Sequence, residues 1–347
     1  MGKKKKGRAG KYFIMIMLLI AAAFVIKVKF FPKVKLKDKK YVFLYVEHHD
    51  LVEDIADKLY EEGAIEEVGA FIWLADKMGL ADELHPGKYR ITNGMNLRQI
   101  INLIRYNREE KIQLFFNEQI HDLDELVNYL AGKLALNAAE IEEFISDERQ
   151  LNEMFGLNPA NAFAMVIPGK LKVSWAITMP QLAQLLKDRY QKVYNEQRVS
   201  KARKLGYSIH EVQVLASIVQ SESAIRSEQR KIAGVYVNRL KRNMPLQADP
   251  TLKYACRNWT LQRVLDKDKE VQSPYNTYKN RGLPPGPICL ITTGALDATL
   301  NYEKHNYLYF CASPKFNGYS EFSATYEEHK NHAIRYRKAL DRRGITR

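Results

Sequence analysis

The chain has 347 residues, 46% hydrophobic and 27% charged, with a formal net charge of +14. This composition suits a globular protein and excludes a disordered or collagen-like one, and the length exceeds what one core holds, so two or more domains are expected. The charge is concentrated: residues 1–40 carry 13 Lys and Arg against Asp38 alone, a net of +12, while the other 307 residues net only +2. A body so nearly neutral gives no support to a nucleic-acid-binding surface.

The N-terminal segment reads as a membrane anchor. Lys3 to Lys6, Arg8 and Lys11 make a basic head (1–11), and Tyr12 to Ile26 is an unbroken apolar run. Lys27 and Lys29 interrupt it before Phe30 and Phe31. Lysines near a span's end snorkel to the interface, so residues 12–31 reach the roughly 20 that a bilayer requires. The alternative is a secretory signal cleaved near Ala21-Ala22-Ala23. Both readings export the body. Charge leaves orientation open, because Lys33, Lys35, Lys37, Lys39 and Lys40 in the linker (32–40) make the other flank equally basic.

Tyr41–Val46 then reads as a strand, and Asp50 as the cap of a helix carrying Leu51, Ile55 and Leu59. A second helix is expected over about 68–78, and a short strand at Gly87–Ile91. This β-α-α-β order makes a small module (41–92). Region 93–206 opens with a helix capped by Asn96 or Thr92, with Leu97, Ile100, Ile101 and Ile104 on one face. A strand at Lys111–Phe116 follows, then helices over 123–134 and 138–156. Strand and loop come next, around Pro168-Gly169, and then a strongly helical stretch over 178–205. The fold class is α+β.

From residue 207 to the end, polar residues look placed rather than merely solvated, and tyrosine is frequent. Ser208-Ile209-His210-Glu211 is a capping box that opens a helix. At about 100° per residue from Val212, the apolar arc holds Val214, Leu215, Ile218 and Val219, and Gln213, Ser217, Gln220 and Ser221 lie opposite. Glu222 falls between Ile218 and Leu215, inside the apolar arc. A carboxyl among aliphatic side chains is poorly solvated, which raises its pKa and suits it to general acid catalysis. The competing readings are a frayed helix end with Glu222 in solvent, or an ion pair with Arg226 or Arg230. Asp249 before Pro250 reads first as a helix N-cap and second as a further catalytic carboxylate. The rigid turns 273–278 and 282–287 suit a ligand-facing loop or a stiffened surface loop. His329 and His332 are weak as a metal pair, no metal or cofactor is expected, and there is no P-loop and no GxSxG. Cys256, Cys289 and Cys311 allow at most one disulfide, or three buried free thiols.

Several ordered motifs here resemble the YceG-like endolytic murein transglycosylase family (MltG). They are Leu215–Glu222, Val235–Leu240, Met244–Thr251, Tyr275–Tyr278, Gly282–Ile288 and Tyr307–Phe310. The N-terminal anchor is similar to that family's single span, and the module ending in Gly87-Lys88-Tyr89-Arg90 to its LysM-like, glycan-binding subdomain. The resemblance implies an enzyme that cuts peptidoglycan strands within the chain, after N-acetylmuramic acid, and leaves 1,6-anhydro ends. It implies Glu222 as the essential acid, and Gln247, Asp249, Tyr254, Asn276 and Tyr278 as candidates for holding sugar. It further implies a cytoplasmic head, a body on the outer side of the cytoplasmic membrane, and synthases of the wall-elongation machinery as partners. Ser320 stands where the family often has His, and Pro168-Gly169-Lys170-Leu171 replaces its usual Pro-x-Thr-Tyr. These departures keep a noncatalytic glycan-binding scaffold as the alternative.

Overall fold

The computed structural model describes residues 12–20, 23, 33–37, 39–117, 119–261 and 264–343. Residues 12–20 are helical and exposed, and the rest of the expected anchor, Ala23 excepted, lies outside the described residues. Among the described residues no helix is long and apolar enough to cross a membrane. The chain divides into two compact units. One runs to Gln113 and takes in 133–136 and 172–178; the other holds 114–132, 137–171 and 179 onward.

In the first unit, β1 (Tyr41–Val46) pairs antiparallel with β2 (Gly87–Thr92), Tyr41 opposite Thr92 and Val46 opposite Gly87. Between them lie α1 (Val52–Glu61) and α2 (Val68–Lys77), and α3 (Leu97–Arg105) follows. Strand alternation buries Val42, Leu44, Val46, Tyr89 and Ile91 on one face, where Ile55, Leu59, Phe71 and Ile100 of the helices complete the core. Val34 and Leu36 join that core. Leu51 rather than Asp50 is the cap residue of α1, with Asp54 closing on its N–H; Asp50 instead accepts from Glu47 N at 2.8 Å and binds Lys58 at 2.6 Å. Asn96, not Thr92, caps α3.

Strand β3 (Ile112–Phe116) pairs with β4 (Gly169–Val173). In the second unit, α4 (Leu123–Ala131) is followed by α5 (Ala138–Ser146) and α6 (Glu148–Phe155), which divide the one helix expected over 138–156. Asp147 ends α5 and caps α6 through Gln150 N. The stretch 178–205 is likewise two helices, α7 (Met179–Val193) and α8 (Glu196–Lys204), because Asn195 turns outward to cap the second.

The centre of this unit is α9 (Ile209–Glu222), packed against α10 (Arg226–Lys241) and α12 (Thr293–Leu300). Every residue from Val212 to Val219 is buried, Gln213 and Ser217 of the expected polar arc among them, while Gln220 is half-buried and Ser221 exposed. Buried Gln213 bonds Tyr190 Oη at 3.0 Å, and Ser217 Oγ accepts from Ile288 N at 3.0 Å. Gln220 donates to Leu290 O at 2.8 Å and accepts from Thr292 N and Oγ1 at 2.9 and 2.7 Å. The bidentate pair of Arg198 and Asp297, at 2.8 and 2.9 Å, ties α8 to α12. The short α11 (Asp249–Ala255), the hairpin β5 (Tyr309–Ala312) with β6 (Ser320–Ser323), and α13 (Tyr326–Arg342) complete the unit. The three cysteines are free thiols, each half-buried.

Candidate active site

Glu222 is the last residue of α9; Ser223 leaves in extended backbone. The helix does end at this residue, yet the Glu222 side chain is half-buried rather than free in solvent. Tyr236 Oη, from the middle of α10, donates to Glu222 Oε1 at 2.7 Å. Among the described residues no ion pair joins Glu222 to Arg226 or Arg230; Arg230 donates to Asn301 O instead. Burial is the largest influence and pushes the Glu222 carboxyl up to about 7, with the negative charge of Asp249 adding to the rise. The Tyr236 hydrogen bond and the charges of Lys253 and Arg239 oppose it.

Tyr236 is 1% exposed and packs edge-to-face on Phe310, ring centroids 6.0 Å apart. Burial, then the Glu222 charge, holds its phenol well above the usual value, so it stays a donor. Arg239, three residues on, is 8% exposed. Its guanidinium donates to Leu308 O and Leu246 O at 2.7 Å, to Pro245 O at 3.3 Å and to Gln247 Oε1 at 3.4 Å, and lies 5.2 Å from the ring centroid of Tyr309. Burial lowers its pKa from the usual arginine value.

The residues expected from sequence do not all gather at Glu222. Asp249 and Tyr278 join Glu222: the exposed Asp249 carboxylate accepts from Tyr278 Oη at 2.5 Å and acts electrostatically on Glu222. Asp249 is not the N-cap, which corrects that expectation. Ala248 occupies the cap position and makes no side-chain bond, and Asp249 is already helical with Pro250 behind it, leaving its carboxylate available. Gln247 is exposed, with φ +51°, a left-handed backbone that non-glycine residues seldom adopt. Its N–H reaches Thr277 O at 3.1 Å and its side chain meets Arg239.

Asn276 is fully buried and acts as a loop brace. Its amide donates to Lys269 O at 2.8 Å and Val271 O at 2.9 Å and accepts from Tyr278 N at 3.0 Å. Beside it the Thr277 hydroxyl meets Thr251 Oγ1 at 2.8 Å and Ala248 N at 3.0 Å. This seam fixes the 276–278 loop to the start of α11 and so sets Tyr278 over Asp249. Tyr254 lies in a separate aromatic cluster, 4.6 Å from Tyr275 and 5.7 Å from Trp259 between ring centroids. Sequence reasoning left Tyr236, Arg239 and Lys253 without roles. Their only signal was the helical i, i+3 spacing of Tyr236 and Arg239 within a motif already singled out.

At the departures, Ser320 N donates to the buried Glu228 carboxylate at 2.9 Å. Pro168 and Gly169 line a cavity of about 370 Å³ together with Phe115, Ile167, Gln220 and Leu290. Gln220 precedes Glu222 by two residues, so this cavity opens on a different side of α9 from the acid. His329 stacks on Tyr309 and His332 meets Ser323 Oγ at 3.2 Å. Among the described residues no three His, Cys, Asp or Glu are grouped to hold a metal ion.

Comparison with known proteins extends the geometry. An endolytic murein transglycosylase of Bacillus subtilis is 29% identical over 332 residues, 92% of this chain and 91% of that protein. One from Streptococcus pneumoniae is 38% identical over 109 residues, 30% of this chain and 20% of that protein. A crystal structure of a YceG-like protein from Listeria monocytogenes superposes with a TM-score of 0.56 at 25% identity, covering 85% of this chain and 99% of that one. The profile of the YceG-like family matches residues 44–335, and with most of the body inside that match, the chain belongs to the YceG-like family.

Proposed function

We propose that the chain is an endolytic lytic transglycosylase of peptidoglycan, with Glu222 as its acid and base. The observation that carries the reading is the single desolvated carboxyl at the end of α9, poised at about 7 and held by Tyr236. Near neutrality such a group is protonated often enough to give a proton and ionised often enough to take one back. Two relatives named endolytic murein transglycosylase support the choice of substrate.

The steps follow from one carboxyl. Protonated Glu222 gives its proton to the glycosidic oxygen as the bond to the anomeric carbon of N-acetylmuramic acid breaks. Positive charge develops on the anomeric carbon, and the Asp249 carboxylate, held by Tyr278, is the nearby fixed negative charge suited to balance it. Glu222, now a carboxylate, takes the proton of the sugar's own 6-hydroxyl as that oxygen closes on the anomeric carbon. A 1,6-anhydro end results, no water is consumed, and Glu222 is protonated again. The substrate supplies the nucleophile, so the second carboxylate of an ordinary glycosidase is not required.

The rest of the assignment is also ours. Residues 12–31 anchor the chain in the cytoplasmic membrane with the body outside, where new strands emerge, and the synthases of wall elongation are its partners there. Module 41–92 is LysM-like and holds glycan, while Gln247, Tyr254 and Asn276 serve the groove by contact or by bracing it.

Glu222→Gln, assayed on purified glycan strands, tests the core of this reading. Release of anhydro-ended fragments falls by about 10²–10⁴-fold. Mass spectrometry reads the product, because a reducing end from hydrolysis is heavier by one water. Undiminished release by the variant would sink the catalytic role of Glu222, whereas a wild type that binds strands and releases no fragments would favour the noncatalytic scaffold.

A further inference from the structure

Glu222 has two carboxyl oxygens, and both steps above need the proton to travel through one defined atom. We propose that Tyr236 is the positioning residue of this site: its hydroxyl holds Oε1, so Oε2 gives and takes the proton, and the buried Arg239 guanidinium steadies the carboxylate between the two transfers. The proposal rests on the assignment of Glu222 as the acid.

A phenol has one proton to donate, and Tyr236 spends it on Oε1 at 2.7 Å. The carbonyl oxygen of a carboxylic acid is a better acceptor than its hydroxyl oxygen, so with Tyr236 donating to Oε1 the carboxyl proton is favoured on Oε2. The phenol itself is immobilised. It projects from the interior of a 16-residue helix, it is 1% exposed, and Phe310 packs its ring edge-on. A ring held this firmly orients the carboxyl at small entropic cost.

Arg239 lies on the same face of α10, one turn later. All four of its hydrogen-bond partners are neutral oxygens, three of them backbone carbonyls. Among the described residues no ion pair cancels its charge, and that charge acts on Glu222 and on Tyr236. Its bonds to Leu308, Pro245 and Leu246 also tie together the segments that lead into β5 and α11.

The Oε2 proton passes to the glycosidic oxygen, which keeps the electron pair of the broken bond. The 6-hydroxyl proton passes to Oε2 as the new oxygen–carbon bond forms. Tyr236 keeps its own proton throughout.

The groups that act on Glu222 are Tyr236 and Arg239 from α10, and Asp249 and Lys253 from α11. Tyr278 donates to Asp249 and also feels the Glu222 charge directly, and the Glu228 carboxylate is bonded to Ser320 N. Tyr236→Phe removes a donation that favours the ionised carboxyl and leaves the others in place. The carboxyl then stays protonated to higher pH.

The experiment compares wild type, Tyr236→Phe and Glu222→Gln in the full chain on purified glycan strands between pH 5 and 9, with thermal unfolding as a control on folding. The expected Tyr236→Phe result is a kcat lower by about ten- to hundredfold with KM little changed, and a descending pH limb moved to higher pH. A limb that moves to lower pH means the substitution only let water reach the carboxyl, and overturns the proposal. An unmoved limb with unchanged kcat overturns it too, while an inactive Glu222→Gln in the same series keeps the acid assignment standing. An active Glu222→Gln overturns both. If Tyr236→Phe does not fold, 3-fluorotyrosine placed at 236 keeps the shape with a more acidic hydroxyl. Its stronger donation moves the limb to lower pH, and an unmoved limb overturns the proposal.

Discussion

At the scale of the residue, Glu222 links stability to pH in a direction opposite to most carboxylates. Its folded pKa of about 7 lies above the ordinary 4.5. The folded state therefore keeps the proton after the unfolded chain has lost it. The stabilising effect is full below about 4.5 and disappears as pH rises through about 7. A rise of this size corresponds to roughly 3 kcal/mol at 1.36 kcal/mol per pH step. Urea unfolding at pH 5 and pH 9 checks it: wild type loses stability of that order across the window, and Glu222→Gln, with no proton to lose, keeps it.

A second test at this scale concerns Asn276. As a brace with both amide hydrogens and its oxygen committed, Asn276→Ala costs about 1–3 kcal/mol in urea unfolding. It also raises KM, because the loop that carries Tyr278 loosens. A contact residue with no bracing role would raise KM and leave unfolding unchanged.

At the scale of the element, α9 differs from the amphipathic helix its sequence suggests. Buried Gln213 and Ser217 bond Tyr190 and Ile288, and half-buried Gln220 bonds Leu290 and Thr292. Buried polar groups fully satisfied in this way fix a helix in one rotation and one register, which a purely apolar surface does less well. The last turn of α9, and with it Glu222, is placed accordingly. Helix α10 is placed by close approach. A Cβ on Gly234 would meet the Glu303 carbonyl and the His305 ring inside contact distance. Gly234→Ala accordingly forces α10 away from segment 303–305. It destabilises by roughly 1–3 kcal/mol in urea unfolding and lowers activity through Tyr236 and Arg239, one side of the same helix. The single helix expected over 138–156 and the helical stretch over 178–205 are each divided by a capping side chain. Asp147 and Asn195 sit in polar-compatible helical periodicity, and only their turned-out backbone reveals the caps.

At the scale of the molecule, the proposed anchor and the exported body give an outcome that fractionation measures. Full-length chain sediments with membranes, resists release by high salt and is released by detergent. Release by salt alone would mean that the basic flanks, and not an inserted span, hold it there. The two compact units also leave the chemistry wholly within one of them: Glu222, Tyr236, Arg239, Asp249 and Tyr278 all belong to the second.

The sequence by itself determined the order of strands and helices in module 41–92, the capping box that opens α9, and the position of Glu222 in the apolar arc. Periodicity and capping chemistry are local, and a run of ten to fifteen residues carries them. It also carried the family, because several motifs kept their order across the C-terminal region. What only tertiary structure decided is which side chains reach Glu222. Tyr236 stands fourteen residues away and Asp249 twenty-seven, on separate helices, and no local rule ranks one tyrosine of 20 above another. The freedom of the Asp249 carboxylate was decided there as well, since a cap and a first helical residue differ by one backbone position. The buried charge of Arg239 had no sequence signal of its own. It exists because the carbonyls of Pro245 and Leu246, just beyond α10, and of the distant Leu308 converge where a guanidinium replaces the water they would otherwise have bound.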